Sequence, residues 1–297
     1  MYVFRGSSSW NIDFFNRNTI FRLFVNKCKE GLAMKLEIKK ASFGYNDTIL
    51  CKNLSFGLNP GELLCVLGPN GVGKTTFFKS ILDILKLKSG EILIDGKNIN
   101  SYSPNELYKY MAYVPQAHTP PFPFTVFDVV LMGRSVYIKE FSSPSRIDKQ
   151  VAENSLNLLG ILHLKNKIYT EISGGERQLV LIARAITQEA SIIIMDEPTS
   201  NLDYGNQIKV LNLIKSLCNN NNKTILISCH NPNHALLYGS KVIIMKKGGL
   251  FSFGNPSDEI TPKVIKETYG IDIKMINSNI SENSQQNICI PFNSNFK

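Results

Sequence analysis

Gly68-Pro69-Asn70-Gly71-Val72-Gly73-Lys74-Thr75 follows the apolar run 62–67 and precedes Phe77, Phe78, Ile81, Leu82 and Leu85. The run has the length and apolarity of a buried strand, and the five later residues recur at helical spacing. Strand, glycine loop and helix in that order are the context in which G-x-x-x-x-G-K-[ST] carries chemistry. The glycines let backbone N–H groups turn inward around a phosphate, and the helix N-terminus adds its positive dipole end. Lys74 can neutralise β- and γ-phosphate oxygens, and the Thr75 hydroxyl suits Mg²⁺. Residues 68–76, Thr76 included, are therefore expected to hold the triphosphate of a magnesium nucleotide, and the fold is expected to be α/β.

A second segment, Ile192-Ile193-Ile194-Met195-Asp196-Glu197, is an apolar strand ending in two carboxylates. Taken alone it reads equally as a strand opening into a solvated turn before Pro198. Beside a phosphate loop, Asp196 is placed to hold Mg²⁺ and Glu197 to polarise a water attacking the γ-phosphate.

The remainder of the chain bounds this reading. It has 297 residues, 43% of them apolar, with 33 basic against 24 acidic residues and a net charge of +9. That is ample for one large α/β domain, and no apolar stretch approaches the roughly 20 residues of a membrane-spanning helix. No run of like charges marks a nucleic-acid arm, so no nucleic-acid partner is expected. Six scattered cysteines without C-x-x-C spacing read as reduced, mostly buried thiols. His118, His163 and His234 show no spacing typical of zinc.

Residues 191–195 and 224–228 read as further buried strands of a mainly parallel sheet, and 241–245 with 250–253 as a terminal hairpin. Between about 103 and 172 the pattern turns helical, with Val151, Leu156, Leu158 and Leu159 on an inner face. Residues 1–33 read as an N-terminal extension outside the native domain, 34–275 as the structured domain, and 276–297, rich in Asn and Ser, as a disordered polar tail.

Further motifs carry a family resemblance. Ile172-Ser173-Gly174-Gly175-Glu176-Arg177-Gln178 resembles the signature sequence of the ATP-binding-cassette (ABC) transporter subunits, departing from it at Ile172 and Glu176. Gln116 after Tyr113-Val114-Pro115 resembles that family's Q-loop glutamine, Ser200-Asn201-Leu202-Asp203 its D-loop, and His230 its switch histidine. Tyr45 sits where the family places an aromatic that stacks on adenine. Ser173 and Glu176 also form a capping box on local grounds, and a capped helix start after Gly-Gly suits an anion.

The resemblance implies a P-loop nucleotide-hydrolase core with a mainly parallel sheet, an antiparallel β subdomain on the N-terminal side and a helical insertion subdomain. It implies ATP and Mg²⁺ as cofactors, with Thr75, Gln116 and Asp196 around the metal and Glu197, His230 and Gln116 as catalytic residues. Two copies would pair head to tail, with Ser173, Gly174, Gly175 and Asp203 of one reaching the nucleotide site of the other. Two permease subunits and, indirectly, a substrate-binding protein would complete an importer, with this chain at the cytoplasmic face of the membrane. The segment 115–134 and His230-Asn231-Pro232-Asn233-His234 resemble importers of metal chelates: iron siderophores, haem and cobalamin, with molybdate and tungstate systems next. A soluble ABC ATPase is the rival class; the twin cassettes or long heptad arms that mark such proteins are not seen here.

Overall fold

Residues 63–67 read Leu-Leu-Cys-Val-Leu, and all five are buried. Alternation divides them between two cores: Leu63, Cys65 and Leu67 face one, Leu64 and Val66 the other. A strand covered on both faces needs such an unbroken apolar run. The computed structural model describes residues 36–45, 48–116, 122–246, 249–281 and 284–292. The N-terminal extension and His118 lie outside them.

In chain order the strands are β1 (Leu36–Tyr45), β2 (Thr48–Leu58), β3 (Leu63–Leu67), β4 (Ser89–Ile94), β5 (Lys97–Asn98), β6 (Met111–Val114), β7 (Ile192–Met195), β8 (Thr224–Cys229), β9 (Lys241–Lys246), β10 (Gly249–Gly254), β11 (Ile273–Ser281) and β12 (Ser284–Pro291). The helices are α1 (Lys74–Ile81), α2 (Pro104–Tyr110), α3 (Val126–Leu131), α4 (Arg146–Leu158), α5 (Gly174–Thr187), α6 (Tyr204–Asn221), α7 (Pro232–Tyr238), α8 (Pro256–Glu259) and α9 (Pro262–Tyr269).

The larger sheet has the order β10-β9-β3-β8-β7-β6, parallel from β9 to β6 with β10 antiparallel at one edge. The second sheet, β2-β1-β4-β5, is antiparallel. Helix α1 joins the two. Phe77 meets Phe43 of β1 at a ring-centroid distance of 5.4 Å and Phe56 of β2 at 6.1 Å, and Phe77, Phe78 and Ile81 share a core with Leu64, Val66, Ile194 and Leu226. The opposite face of the parallel sheet is covered by α3 to α6, through residues such as Val126, Leu156, Val180 and Ile214. The α/β core with its antiparallel companion sheet is as expected.

The helical subdomain is held by local caps and one buried cation. Ser103, Thr125, Ser145 and Ser173 each begin a helix in a capping box with the acidic residue three positions on. Arg134 donates from Nε to Asp148 at 3.0 Å, and from one terminal nitrogen to Glu189 at 2.7 Å and to the Thr187 carbonyl at 3.0 Å. That fork ties α4 to the C-terminal end of α5.

Two expectations change. Residues 111–114, placed by sequence inside the helical insertion, form β6 and pair with β7 along Met111↔Ile192 to Val114↔Met195. The insertion proper therefore begins beyond β6. A four-residue strand flanked by α2 is too short for its period to be told from a helix. The tail expected to be disordered from 276 is instead the antiparallel pair β11–β12, in register Met275↔Cys289 and Asn277↔Asn287. Ile273 and Cys289 are buried in the core beside the helices, and Asn233 of α7 holds the backbone of Cys289 by donating to its carbonyl at 3.0 Å and accepting its N–H at 2.8 Å. The high Asn and Ser content hides a strand whose inner face needs only two or three apolar residues.

Candidate functional site

The phosphate loop leaves β3 at Leu67 and passes close beneath β9. A Cβ on Gly68 would lie 2.6 Å from the Met245 carbonyl oxygen, which only glycine avoids. At the other end Gly73 caps α1 in the left-handed region (φ +110), and a Cβ there would touch Leu50 of β2 at 3.0 Å. The end of the β1–β2 pair at which the chain passes from Tyr45 to Thr48 therefore borders the loop, and Tyr45 is 55% exposed there.

Lys74 begins α1. Its ammonium is buried and donates to the carbonyls of Gly68 at 2.7 Å and Pro69 at 3.2 Å. Desolvation pushes its pKa down, while the carboxylates of Glu197 and Asp196 nearby pull it back up. A cation held this way is ready to exchange carbonyl partners for phosphate oxygens of higher charge.

Asp196 follows β7, its backbone N–H donating to the Val114 carbonyl of β6 at 2.8 Å. Its carboxylate is buried and accepts from Thr75 Oγ1 at 2.5 Å and from Ser228 Oγ at 2.6 Å. Thr75 and Asp196 thus bring a hydroxyl and a carboxylate together: the hard-oxygen donors that Mg²⁺ takes alongside water and phosphate. Among the described residues no group of three His, Cys, Asp or Glu side chains forms a metal cluster.

Glu197 adopts φ +50, a left-handed conformation costing about 1–2 kcal/mol for a residue with a Cβ. Its backbone N–H donates to Ser228 Oγ at 2.8 Å. Gln116 Nε2 donates to one carboxylate oxygen at 2.6 Å, and His230 Nε2 lies 2.6 Å from the other. Three segments far apart in sequence, after β6, β7 and β8, thus converge on one carboxylate. They are adjacent because parallel neighbours in the sheet end at the same edge, where α/β sheets place their ligands.

Ser173, Gly174 and Gly175 start α5, and Asp203 caps α6. These two groups adjoin each other, since a Cβ on Gly175 would lie 3.0 Å from the Asn201 carbonyl. Their polar partners are local. Ser173 pairs with Glu176, and Asp203 accepts from Asn206 at 2.9 Å, a bond that holds its carboxyl below the usual range. Gly68 to Thr76, Asp196, Glu197, Gln116 and His230 therefore make one cluster, and the signature with Asp203 makes another. Sequence reasoning missed Ser228 as a site residue; the available signal was a serine near the end of an otherwise apolar buried strand.

The first cluster defines a nucleoside-triphosphatase site of the strand–loop–helix kind. Comparison with known proteins supplies the family. The ABC transporter family matches residues 51–200. The molybdate import ATP-binding protein MolC of Haemophilus influenzae is 38% identical over 227 residues, 76% of this chain and 84% of that protein. The iron(3+)-hydroxamate import ATP-binding protein FhuC of Bacillus subtilis is 30% identical over 241 residues, 81% of this chain and 90% of that one. A solved inward-facing structure of a metal-chelate type ABC transporter superposes with a TM-score of 0.77 at 33% identity, over 88% of this chain and 98% of its own. The chain belongs to the ABC transporter family and is an ATPase of that family.

Proposed function

We propose that this chain is the ATP-hydrolysing subunit of a membrane importer, coupling ATP binding and hydrolysis to uptake of an iron complex or related metal chelate. The observation that carries the reading is the convergence on one site of Lys74, Thr75, Asp196 and a Glu197 carboxylate flanked by Gln116 and His230. In this reading the backbone of residues 68–76 and Lys74 bind the β- and γ-phosphates, and Tyr45 stacks on adenine. Thr75, Asp196 and Gln116 would hold Mg²⁺, which would supply positive charge against the triphosphate. Glu197 orients the attacking water, and His230 contacts the γ-phosphate.

The second cluster completes a site on another copy. Ser173, Gly174, Gly175 and Asp203 are exposed or half-buried at helix starts and bond only to near neighbours, as a surface awaiting a nucleotide from a twin subunit would. Closure around ATP and reopening after hydrolysis then follow from differential affinity for the two states. No helix among the described residues is long and apolar enough to cross a membrane, so translocation in this reading falls to two permease subunits, with the chain at the cytoplasmic face. A substrate-binding protein takes part indirectly.

Molybdate is the second reading for the cargo, favoured by the 38% identity to MolC. Two measurements test the proposal. Lys74→Ala is expected to abolish calorimetric ATP binding, and unchanged affinity would overturn the phosphate site. Reconstitution with permease subunits and a binding protein, loaded with a ferric chelate or with molybdate, is expected to stimulate hydrolysis for the true cargo class; stimulation by neither would overturn the metal-importer reading.

A further inference from the structure

Ser228 is fully buried, yet its hydroxyl has two polar partners, Asp196 and Glu197, just beyond the end of the neighbouring strand β7. Their chemistry fixes the direction of both bonds. A backbone N–H can only donate and an ionised carboxylate can only accept, so the one hydroxyl proton goes to Asp196 and an oxygen lone pair receives the Glu197 N–H. The result is a continuous path from Glu197 N–H to Ser228, from Ser228 to Asp196 Oδ1, and from Thr75 to Asp196 Oδ2.

Glu197 stands at φ +50, a conformation that persists only where the surroundings over-determine it. The bond from its N–H to Ser228 is such a determinant. Ser228 also lies two residues before His230, whose ring meets the carboxylate of the same Glu197. Its side chain therefore holds the backbone of Glu197 while the same segment engages the side chain.

We infer that Ser228 is a positioning residue, fixing the proposed Mg²⁺ ligand Asp196 and the proposed base Glu197 in one geometry and tying both to the strand that carries His230. The inference rests on the nucleotide-site reading above. Ser228 acts in this reading through Asp196 and Glu197, the groups its hydroxyl bonds, and not on the nucleotide itself. Such outer partners of metal-site residues typically change metal affinity or activity by about 10- to 100-fold when removed.

The test uses the full chain and two readouts, with Ser228→Ala, Ser228→Cys and Ser228→Thr. First, the affinity of a non-hydrolysable ATP analogue is measured by calorimetry in Mg²⁺ and in EDTA. The ratio is insensitive to the fraction of protein that is folded. Ser228→Ala is expected to lower the Mg²⁺/EDTA ratio about tenfold while leaving affinity in EDTA within about twofold, and to lower kcat by about 10- to 100-fold. Ser228→Thr, which keeps the hydroxyl, is expected to recover most of both. A ratio and a kcat within about twofold of the parent in folded Ser228→Ala would overturn the inference. If Ser228→Ala does not fold, Ser228→Cys, which keeps the volume but offers only a weak donor and acceptor, decides in the same way. A parent chain with equal affinity in Mg²⁺ and EDTA would overturn the reading of Asp196 as a Mg²⁺ ligand, and one that binds the analogue in neither would overturn the nucleotide-site reading itself, before any variant is compared.

Discussion

The Nε2 atom of His230 lies 2.6 Å from Glu197 Oε1, and the other oxygen of that carboxylate accepts from Gln116 at 2.6 Å. Both oxygens of the proposed base are therefore engaged by the chain itself. Each oxygen keeps a further lone pair, so an attacking water can still donate to Glu197 while Gln116 and His230 hold the carboxylate in place.

Glu197→Gln keeps the volume and the contact to His230 but removes the charge. A positioned general base contributes about 10²–10⁴-fold to rate, and a loss in that range is expected in steady-state hydrolysis. With the chemistry stopped, ATP and Mg²⁺ should hold the variant as a dimer in size-exclusion chromatography. Hydrolysis near the parent rate would remove Glu197 from the mechanism.

Arg134 concerns stability rather than chemistry. Its guanidinium is buried between Asp148 and Glu189, whose side chains are only 12% and 22% exposed. Burial alone would raise the Asp148 pKa, but its bonds to Ser145 and Arg134 outweigh that and hold it low. Arg134→Met leaves two carboxylates in a dry site without their cation, and breaking a buried pair in this way costs about 3–5 kcal/mol. Chemical denaturation should register a loss of that order. Arg134→Lys should recover little, because an ammonium cannot reproduce the fork that reaches Asp148, Glu189 and the Thr187 carbonyl together.

His234 gives a pH dependence. Burial in α7 lowers its pKa from the ordinary 6.5. The unfolded chain therefore takes up the proton at higher pH than the folded one, and stability rises with pH wherever the unfolded state holds more protons. The contribution of neutral His234 is complete above 6.5 and is lost as pH falls through the window between 6.5 and its lower folded value. Thermal melts across pH 5 to 7.5 should show a decline on the acid side that His234→Gln reduces. An identical pH slope in the variant would mean that the group does not titrate differently in the two states.

The sequence made the site legible where chemistry demands fixed residue types at fixed spacing. Gly68 to Thr75 needs glycine for close backbone passage and lysine for charge, and such needs leave a pattern. Asp196 and Glu197 were legible because they follow an apolar strand that a parallel sheet must bury, and His230 through its resemblance to the family's switch histidine. Less legible were elements whose cause is tertiary. β6 exists because Met111 to Val114 find β7 as a partner, and β12 because it pairs with β11, with Asn233 adding two hydrogen bonds to a backbone 56 residues away. Ser228 was hidden for the same reason: its partners, Asp196 and Glu197, are 32 and 31 residues distant in sequence.

The Asn233–Cys289 contact offers the last prediction. One amide side chain satisfies both the N–H and the carbonyl of Cys289, holding β12 against the helix that follows the His230 turn. In Asn233→Ala both backbone groups lose their partner in a part-buried setting, at about 1–3 kcal/mol for each group left dry. Opening the edge toward water relieves that cost, so the expected response is local release of β12 rather than global unfolding. Cys289 reports it directly. Its thiol is 5% exposed and burial raises its pKa, so alkylation in the parent should be slow. Mass spectrometry of iodoacetamide-treated protein should find Cys289 modified faster in Asn233→Ala, with the buried Cys65, Cys218 and Cys229 unchanged as internal controls. Equal Cys289 labelling in parent and variant would mean that apolar packing of Ile273 and Cys289 holds the hairpin without the amide.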